Sequence, residues 1–428
     1  MKITTMKGFR DILPEEAEIW RRVASAAREV FEAYGFREIV PPIMEKTELF
    51  SRSIGEETDI VSKEMYTLKD SKGRGMTLRP EATASVARAY IQNRLDQETA
   101  PQKLYCMGPM FRHERPQKGR FRQFHQVNAE LFGDPGPRSD AEIIAMVTDL
   151  FDTLGLRDLE LRLNSLGCPH CRPGFRDELV DYLSERMEAL CADCRRRAQA
   201  NPLRVFDCKV AACGEAVASA PSMLDFICPD CADHFQGVKQ YLDSVDISYV
   251  VDRRLVRGLD YYTRTAFEIQ TGRLGSQNAV AGGGRYDGLL ALLGGPDVPA
   301  IGFAVGMERV VALLEENFEY RPRTPDLFIA ALGEDAERKA FAWASGLRKS
   351  GLWVEMGYGS RGLKSQMKRA GRLGADKVLI VGDAEIASGK GTLRDMNTKS
   401  QGEIALDGLP ERLEGILRPD RLMRGGDS

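Results

Sequence analysis

After Pro14 the apolar residues Ile19, Val23, Ala27, Val30, Phe31 and Tyr34 recur at spacings of three and four, and the run ends at Gly35. That spacing predicts an amphipathic helix with proline tolerated in its first turn. REIVPPIME (37–45) reads instead as a short strand broken by Pro41 and Pro42, which suits a sheet edge or a subunit interface. Period two then takes over. MGPMFRHE and FRQFHQVNAELF are expected to be antiparallel strands joined by the loop RPQKG. Alternation puts Arg112 and Glu114 on one face of the first strand. It puts Arg120, Arg122, Phe124, Gln126, Asn128 and Glu130 on one face of the second: cations at one end, an aromatic ring in the middle, a carboxylate at the far end.

From about residue 165 to 240 the chain turns helical and cysteine-rich, and then YVVDRRLV, YYTRTAFEIQ and NAVAGGG resume a strand pattern. The middle therefore reads as an insertion into one β-rich domain. Beyond the Pro/Arg stretch RPRTP (321–325), DLFIAAL, a helix to Ser350, LWVEM, a basic helix and KVLIVG alternate. This is the pattern of a small α/β domain with parallel pairing.

Composition changes this picture in two ways. With 428 residues, 43% hydrophobic and 29% charged, the chain has the make-up of a globular protein of two or three domains. Its net charge of -3 excludes a wholly basic surface, so any polyanion must be met by local patches. The N-terminal segment lacks a signal- or transit-peptide pattern, and no run of about 18 apolar residues follows. The chain is expected to be cytoplasmic and not membrane-bound, with its nine cysteines as thiols or metal ligands rather than disulfides.

The graded face has a chemistry. Arginine matches phosphate oxygens bidentately, a phenyl ring stacks on a purine, and an amide with a carboxylate holds an ammonium or imidazole. FRHERPQKGRFRQFHQ (111–126) resembles motif 2 of class II aminoacyl-tRNA synthetases, and specifically that of the histidyl-tRNA synthetase family. RGLDYYTRTAFE (257–268) and AGGGRYDGL (281–289) resemble that family's two histidine signatures. GFREIVPPIME resembles motif 1, with Pro42 at a dimer interface, and AIGFAVGMERV (300–310) resembles motif 3.

The resemblance implies a class II fold: an antiparallel catalytic sheet flanked by helices (1–164 and 241–320), a helical cysteine-rich insertion (165–240), and an α/β anticodon-binding domain (325–428). It implies that a homodimer joins histidine to tRNA(His), using ATP with Mg2+, through histidyl-adenylate and pyrophosphate. By resemblance, Arg112 meets the α-phosphate and the histidine carboxylate, Arg309 the γ-phosphate, Phe124 the adenine, and Arg120 also contacts ATP. Arg257 is the electrophilic catalyst at the α-phosphate and also contacts histidine. Glu81, Thr83 and Gln126 surround the α-amino group, whereas Glu130, Tyr262 and Tyr286 read the imidazole. Ala82 departs from the family's RPEGT pattern and bears on pocket shape. Tyr261, one residue off in alternation, is expected in the core. The loop residues Arg115, Gln117 and Lys118 are expected at the acceptor end of tRNA.

The GGG run lacks the Gly-Lys-Ser/Thr ending of a phosphate loop, so it marks a close approach of the backbone to a ligand or neighbouring strand. Cys168, Cys171, Cys191, Cys194, Cys208, Cys213, Cys228 and Cys231 cluster within 64 residues, whereas Cys106 stands apart as a core residue. The eight suffice for two structural thiolate zinc sites, and equally fit buried free thiols between helices; neither reading makes them catalytic. In the last domain Lys364, Lys368 and Arg372 form a helical stripe beside Arg361, Arg369 and Lys377, a phosphate-contact surface. Two alternatives to a ligase remain: a non-catalytic paralogue regulating ATP phosphoribosyltransferase, and an RNA-sensing module. The paralogue would be expected to lose part of RGLDYYT and the C-terminal domain, and this chain has both, whereas the intact set Glu81, Arg112, Gln126, Arg257 and Arg309 argues against the sensing module.

Overall fold

The computed structural model describes residues 2–55, 58–98, 101–117, 119–274, 278–316, 323–359 and 362–418. Lys118 and Arg361 lie outside the described residues. The chain forms two compact units, Met1–Phe318 and Glu319–Ser428.

The first unit is built on an eight-stranded sheet. Its order is Arg37–Glu38, Gln102–Phe111, Gln123–Phe132, Ala300–Gly306, Ala279–Arg285, Thr263–Gln270, Glu160–Ser165 and Val250–Val251. The six long strands are antiparallel, but the two-residue strands at both edges pair in parallel, so the sheet is mixed rather than antiparallel throughout. Both edges are short for local reasons. Pro41 and Pro42 follow the first, and a turn closed by the Leu255 amide on the Asp252 carbonyl (3.0 Å) stops YVVDRRLV after Val251. Strand Gln102–Phe111 also begins earlier than its apolar pattern suggests and ends before Arg112.

Helix Pro14–Ala33 carries proline in its first turn with Glu15 and Glu16, which suit the positive end of the helix dipole. It buries Ile19, Trp20, Val23, Ala26, Ala27 and Phe31, while Val30 and Tyr34 lie at the rim. With helices Pro137–Thr153 and Met307–Glu315 it covers one face of the sheet, where Val127, Ala129 and Leu131 point inward. Period two then sends Gln126, Asn128 and Glu130 to the other face.

Arg285 fixes these layers to one another. It has no exposed surface, and its guanidinium donates to Asp140 (3.0 Å), Asp287 (3.0 Å), Ser139 (3.0 Å) and the carbonyls of Asp134 (3.0 Å) and Gly136 (3.2 Å). The His234 ring lies 2.8 Å from the second Asp140 oxygen. Burial opposes the Asp140 charge, but Arg285 and His234 outweigh it and hold its carboxyl below the usual range.

The second unit has the strand order Val354–Met356, Leu327–Leu332, Lys377–Gly382, Lys390–Asp395 and Gln401–Ala405. The first three pair in parallel, as the alternation implies. The last two add an antiparallel hairpin that the sequence reading lacks, its turn held by Asp395 accepting from the amides of Asn397 (3.0 Å) and Thr398 (2.8 Å). Helix Leu363–Leu373 buries Gln366 and Ala370 and exposes Lys364, Lys368 and Arg372.

Asp140→Ala should strand a buried guanidinium and destabilise the first unit by about 3–5 kcal/mol. Urea unfolding followed through Trp20 fluorescence measures this; a loss below about 1 kcal/mol would show that Arg285 finds other partners.

Candidate active site

The free face of the sheet is a floor from which side chains have been removed. Across the sheet, Asn128 pairs with Ala304, Ala304 with Gly282, and Gly282 with Glu268; Gln126 lies between Gly108 and Gly306. Small residues between polar ones leave a cavity whose walls include Glu81, Thr83, Arg112, Arg257, Arg309 and Tyr262.

Three cations reach it from distant parts of the chain. Arg112 is fixed by donating to the Pro80 carbonyl at 2.8 Å, and its guanidinium lies 5.3 Å from the Phe124 ring centre. Arg309 is braced by the Ala279 carbonyl. Burial, and then the neighbouring Arg120 charge, push its pKa down. Arg257 is half-buried and donates to Glu268 at 2.5 Å. Burial works against its charge, but Glu268 outweighs that and raises its pKa. A Cβ on Gly282 would stand 2.6 Å from the Arg257 guanidinium carbon, so a side chain there would push the guanidinium off the strand. Gly282 thus makes room for the protein's own arginine, while Gly283 and Gly284 lie close to the backbone of the neighbouring strands at Gly302 and Thr265. Arg120 also borders the cavity, 2.9 Å from Glu114.

The acids are held by hydrogen bonds. Glu81 accepts from the amides of Thr83 (2.7 Å) and Ala84 (2.9 Å), at the start of helix Thr83–Gln92. Burial raises its pKa and those amides oppose the rise. Glu130 accepts from the Thr83 hydroxyl at 2.7 Å and from the Tyr286 hydroxyl. Glu130 and Tyr286 lie behind the cavity wall rather than in it, with Thr83 between Glu130 and the open space. Burial pushes the Glu130 carboxyl up to about 8, against the pull of the two hydroxyl donors.

Several polar atoms converge on the cavity without partners. Gln126 Oε1, both side-chain polar atoms of Asn128 and Arg257 Nε are buried and make no hydrogen bond among the described residues. Buried groups of this kind are normally satisfied, so an unpaired cluster facing a cavity marks a ligand site.

The structure corrects two orientations. Tyr261 faces the same cavity as Tyr262, their rings 4.7 Å apart, because both precede strand Thr263–Gln270 and escape its alternation. Arg122 leaves the graded face because the strand begins only at Gln123. It reaches back to the carbonyls of Glu114 (3.3 Å) and Lys7 (3.4 Å). Arg115 and Gln117 are exposed on the loop, outside the cavity.

Other wall residues escape the sequence reading. Glu268 ends the segment RGLDYYTRTAFE, and its alternation with Ala266 and Gln270 was the available signal. Glu308 reaches the amide of His125 at 2.9 Å from the motif 3 helix. Asp207 comes from the insertion, 50 residues before Arg257, and no local pattern announces it.

Similarity to known proteins agrees with this geometry. The family model described as Histidyl-tRNA synthetase matches residues 8–310. The chain belongs to the histidyl-tRNA synthetase family. A second model, Anticodon binding domain, matches residues 326–416. Histidine–tRNA ligase of Desulfatibacillum aliphaticivorans is 55% identical over 97% of this chain and 99% of its own, and that of Desulfosudis oleivorans is 57% identical over 95% and 97%. The crystal structure of apo S. aureus histidyl-tRNA synthetase aligns with a TM-score of 0.81 at 37% identity, covering 96% of this chain and all of that one. No helix among the described residues is long and apolar enough to cross a membrane.

Glu130 yields a pH prediction. Between its ordinary value of 4.5 and about 8 the folded chain keeps a proton that the unfolded chain has lost. Its contribution to stability is therefore full below the ordinary value and is lost as pH rises through about 8. Glu130→Gln removes this loss, so the variant should gain on the parent by a few kcal/mol, to order of magnitude, between about pH 5 and pH 9. Urea unfolding at each pH tests it, and a constant difference would count against the assignment.

Proposed function

We propose that this chain is a histidine–tRNA ligase: it activates histidine with ATP to histidyl-adenylate, releasing pyrophosphate, and transfers the histidyl group to the 3′ end of tRNA(His). The observation that carries the reading is the convergence of Arg112, Arg257 and Arg309 on one cavity with unpaired Gln126 and Asn128. Full-length similarity to relatives of that name supports it.

Activation drives a carboxylate onto the α-phosphorus of ATP, which brings two anions together while charge accumulates on the phosphoryl oxygens. Preset cations lower that barrier because they need no reorganisation. Arg112 meets the α-phosphate and the carboxylate, Arg120 and Arg309 hold the polyphosphate, and Phe124 covers the adenine. Mg2+ accompanies ATP as part of the substrate. Arg257 supplies positive charge at the α-phosphate from the opposite wall. Glu81, Thr83 and Gln126 take the α-amino group. Tyr262 contacts the imidazole directly, while Glu130 and Tyr286 act on it from behind Thr83. Such a recess rejects a side chain with only one polar atom, because a buried polar group would stay unpaired.

The exposed loop residues Arg115 and Gln117, and Lys118, contact the tRNA acceptor end, and the stripe Lys364, Lys368 and Arg372 contacts phosphates on the anticodon side. Val40, Ile43, Met44 and Leu68 are exposed around the motif 1 prolines, which supports a homodimer through this surface. Nine free thiols suit the cytoplasm.

Exchange of labelled pyrophosphate into ATP, run with each of the twenty amino acids in turn, tests the reading. Exchange with histidine alone is expected; none with any amino acid, from folded protein, would favour a regulatory or sensing paralogue. Arg257→Ala should slow the exchange by roughly a hundredfold or more while changing the KM for histidine far less. Equal losses in both would remove its catalytic role.

A further inference from the structure

The eight insertion cysteines fall into two separate quartets. Cys168, Cys171, Cys228 and Cys231 form one, and Cys191, Cys194, Cys208 and Cys213 form the other; within each, the sulfur atoms lie within 4.8 Å of one another. The second quartet is nested in the sequence between the two halves of the first. Adjacent sulfurs stand 3.5 Å (Cys168–Cys171), 3.9 Å (Cys168–Cys228), 3.8 Å (Cys171–Cys231) and 3.9 Å (Cys191–Cys208) apart. A disulfide would need about 2.0 Å. Four thiolates around zinc at about 2.3 Å set tetrahedral edges of about 3.8 Å. Backbone amides also point at sulfur: Cys228 N to Cys171 Sγ at 3.1 Å, and Cys191 N to Cys213 Sγ at 3.2 Å.

Cysteine makes up a large share of the insertion's core beside Phe175, Leu179, Leu183 and Leu190. Among the twelve buried members of its core, four are cysteines, Cys171, Cys194, Cys213 and Cys231. A module this small commonly takes part of its stability from a metal or cross-link.

The inner quartet also brackets a segment that reaches the active site. Between Cys194 and Cys208 runs the short helix Pro202–Asp207. Arg204, only 8% exposed, donates to the carbonyl of Arg257 at 3.1 Å, and Asp207, next to Cys208, lines the cavity with Arg257. Arg197, on the helix that begins after Cys191, pairs with Asp59 of the catalytic core.

We propose that each quartet binds one zinc ion as four thiolates, the thiol protons passing to solvent, and that the inner site holds Arg204 as a positioning residue for Arg257. The catalytic arginine is thus placed from two sides: Gly282 and Glu268 of the sheet support its side chain, and the insertion fixes its backbone. This rests on the ligase reading only for its kinetic consequence. The metal sites stand on geometry alone.

Metal analysis of the purified full-length chain should find about two zinc per chain. The paired change Cys168→Ser with Cys228→Ser, and likewise Cys191→Ser with Cys208→Ser, should each remove one. The inner pair should depress histidine-dependent pyrophosphate exchange more than the outer. Arg204→Ala should keep both metal ions and lower kcat for exchange about tenfold, the effect of one hydrogen bond from a charged donor, with the KM for histidine little changed. Arg204→Lys should restore part of the rate.

Well under one zinc per chain would overturn the sites. Unaltered exchange in Arg204→Ala, or equal kinetic loss from both cysteine pairs, would overturn the coupling. If the cysteine variants do not fold, the metal content of the unmodified chain and the two Arg204 variants still decide. Metal content does not depend on activity, so an unmodified chain that lacks exchange but holds zinc would refute the ligase reading and not the sites.

Discussion

A guanidinium sealed from water needs its donors met by fixed acceptors, since an unpaired buried charge costs several kcal/mol. Arg285 meets that condition with two carboxylates, a hydroxyl and two carbonyls drawn from one helix, its preceding loop and the turn after its own strand. The register of strand Ala279–Arg285 follows from this. Because Arg285 cannot slide, Gly282 stays opposite Glu268 and Ala304, and Tyr286 stays within reach of Glu130. Helix Pro229–Asp243, which leaves the insertion, enters the same network through His234. One buried ion cluster thereby fixes the pocket floor and the exit of the inserted segment.

The two faces of the sheet divide their labour by residue size. One carries Val127, Ala129, Leu131 and Phe303 into a hydrophobic core under three long helices. The other carries glycine, alanine and a few polar side chains, and the freed space is where cations from motif 2, motif 3 and the first histidine signature meet. Their mutual repulsion is tempered by Glu114 and Glu268, placed beside Arg120 and Arg257. The pocket thus sets the arginines Arg112, Arg120, Arg257 and Arg309 among the carboxylates Glu81, Glu114, Asp207, Glu268 and Glu308, so its cations are fixed in place without forming an unbalanced cluster of charge.

Much of this was legible in the sequence. Strong periodicity gave the first helix, the long central strands and the parallel part of the second unit, because each buries one face and must repeat at the spacing of its element. The motif segments named Arg112, Arg257 and Arg309, which the fold brings to one cavity. Alternation failed where the chain was not a strand: Arg122 lies just before Gln123–Phe132, and Tyr261 just before Thr263–Gln270. The terminal hairpin was hidden because its strands are largely polar, with Leu393 and Ile404 among their few large apolar residues. Asp207 was invisible for a different reason, since its place beside Arg257 arises from tertiary packing of the insertion.

Gly282 shows how part of an active site can consist of a missing atom. Even alanine, the smallest change available, would place a methyl where the Arg257 guanidinium lies, and the arginine would have to swing aside. The position of a charged side chain is thereby set in part by the absence of an atom on the strand beneath it.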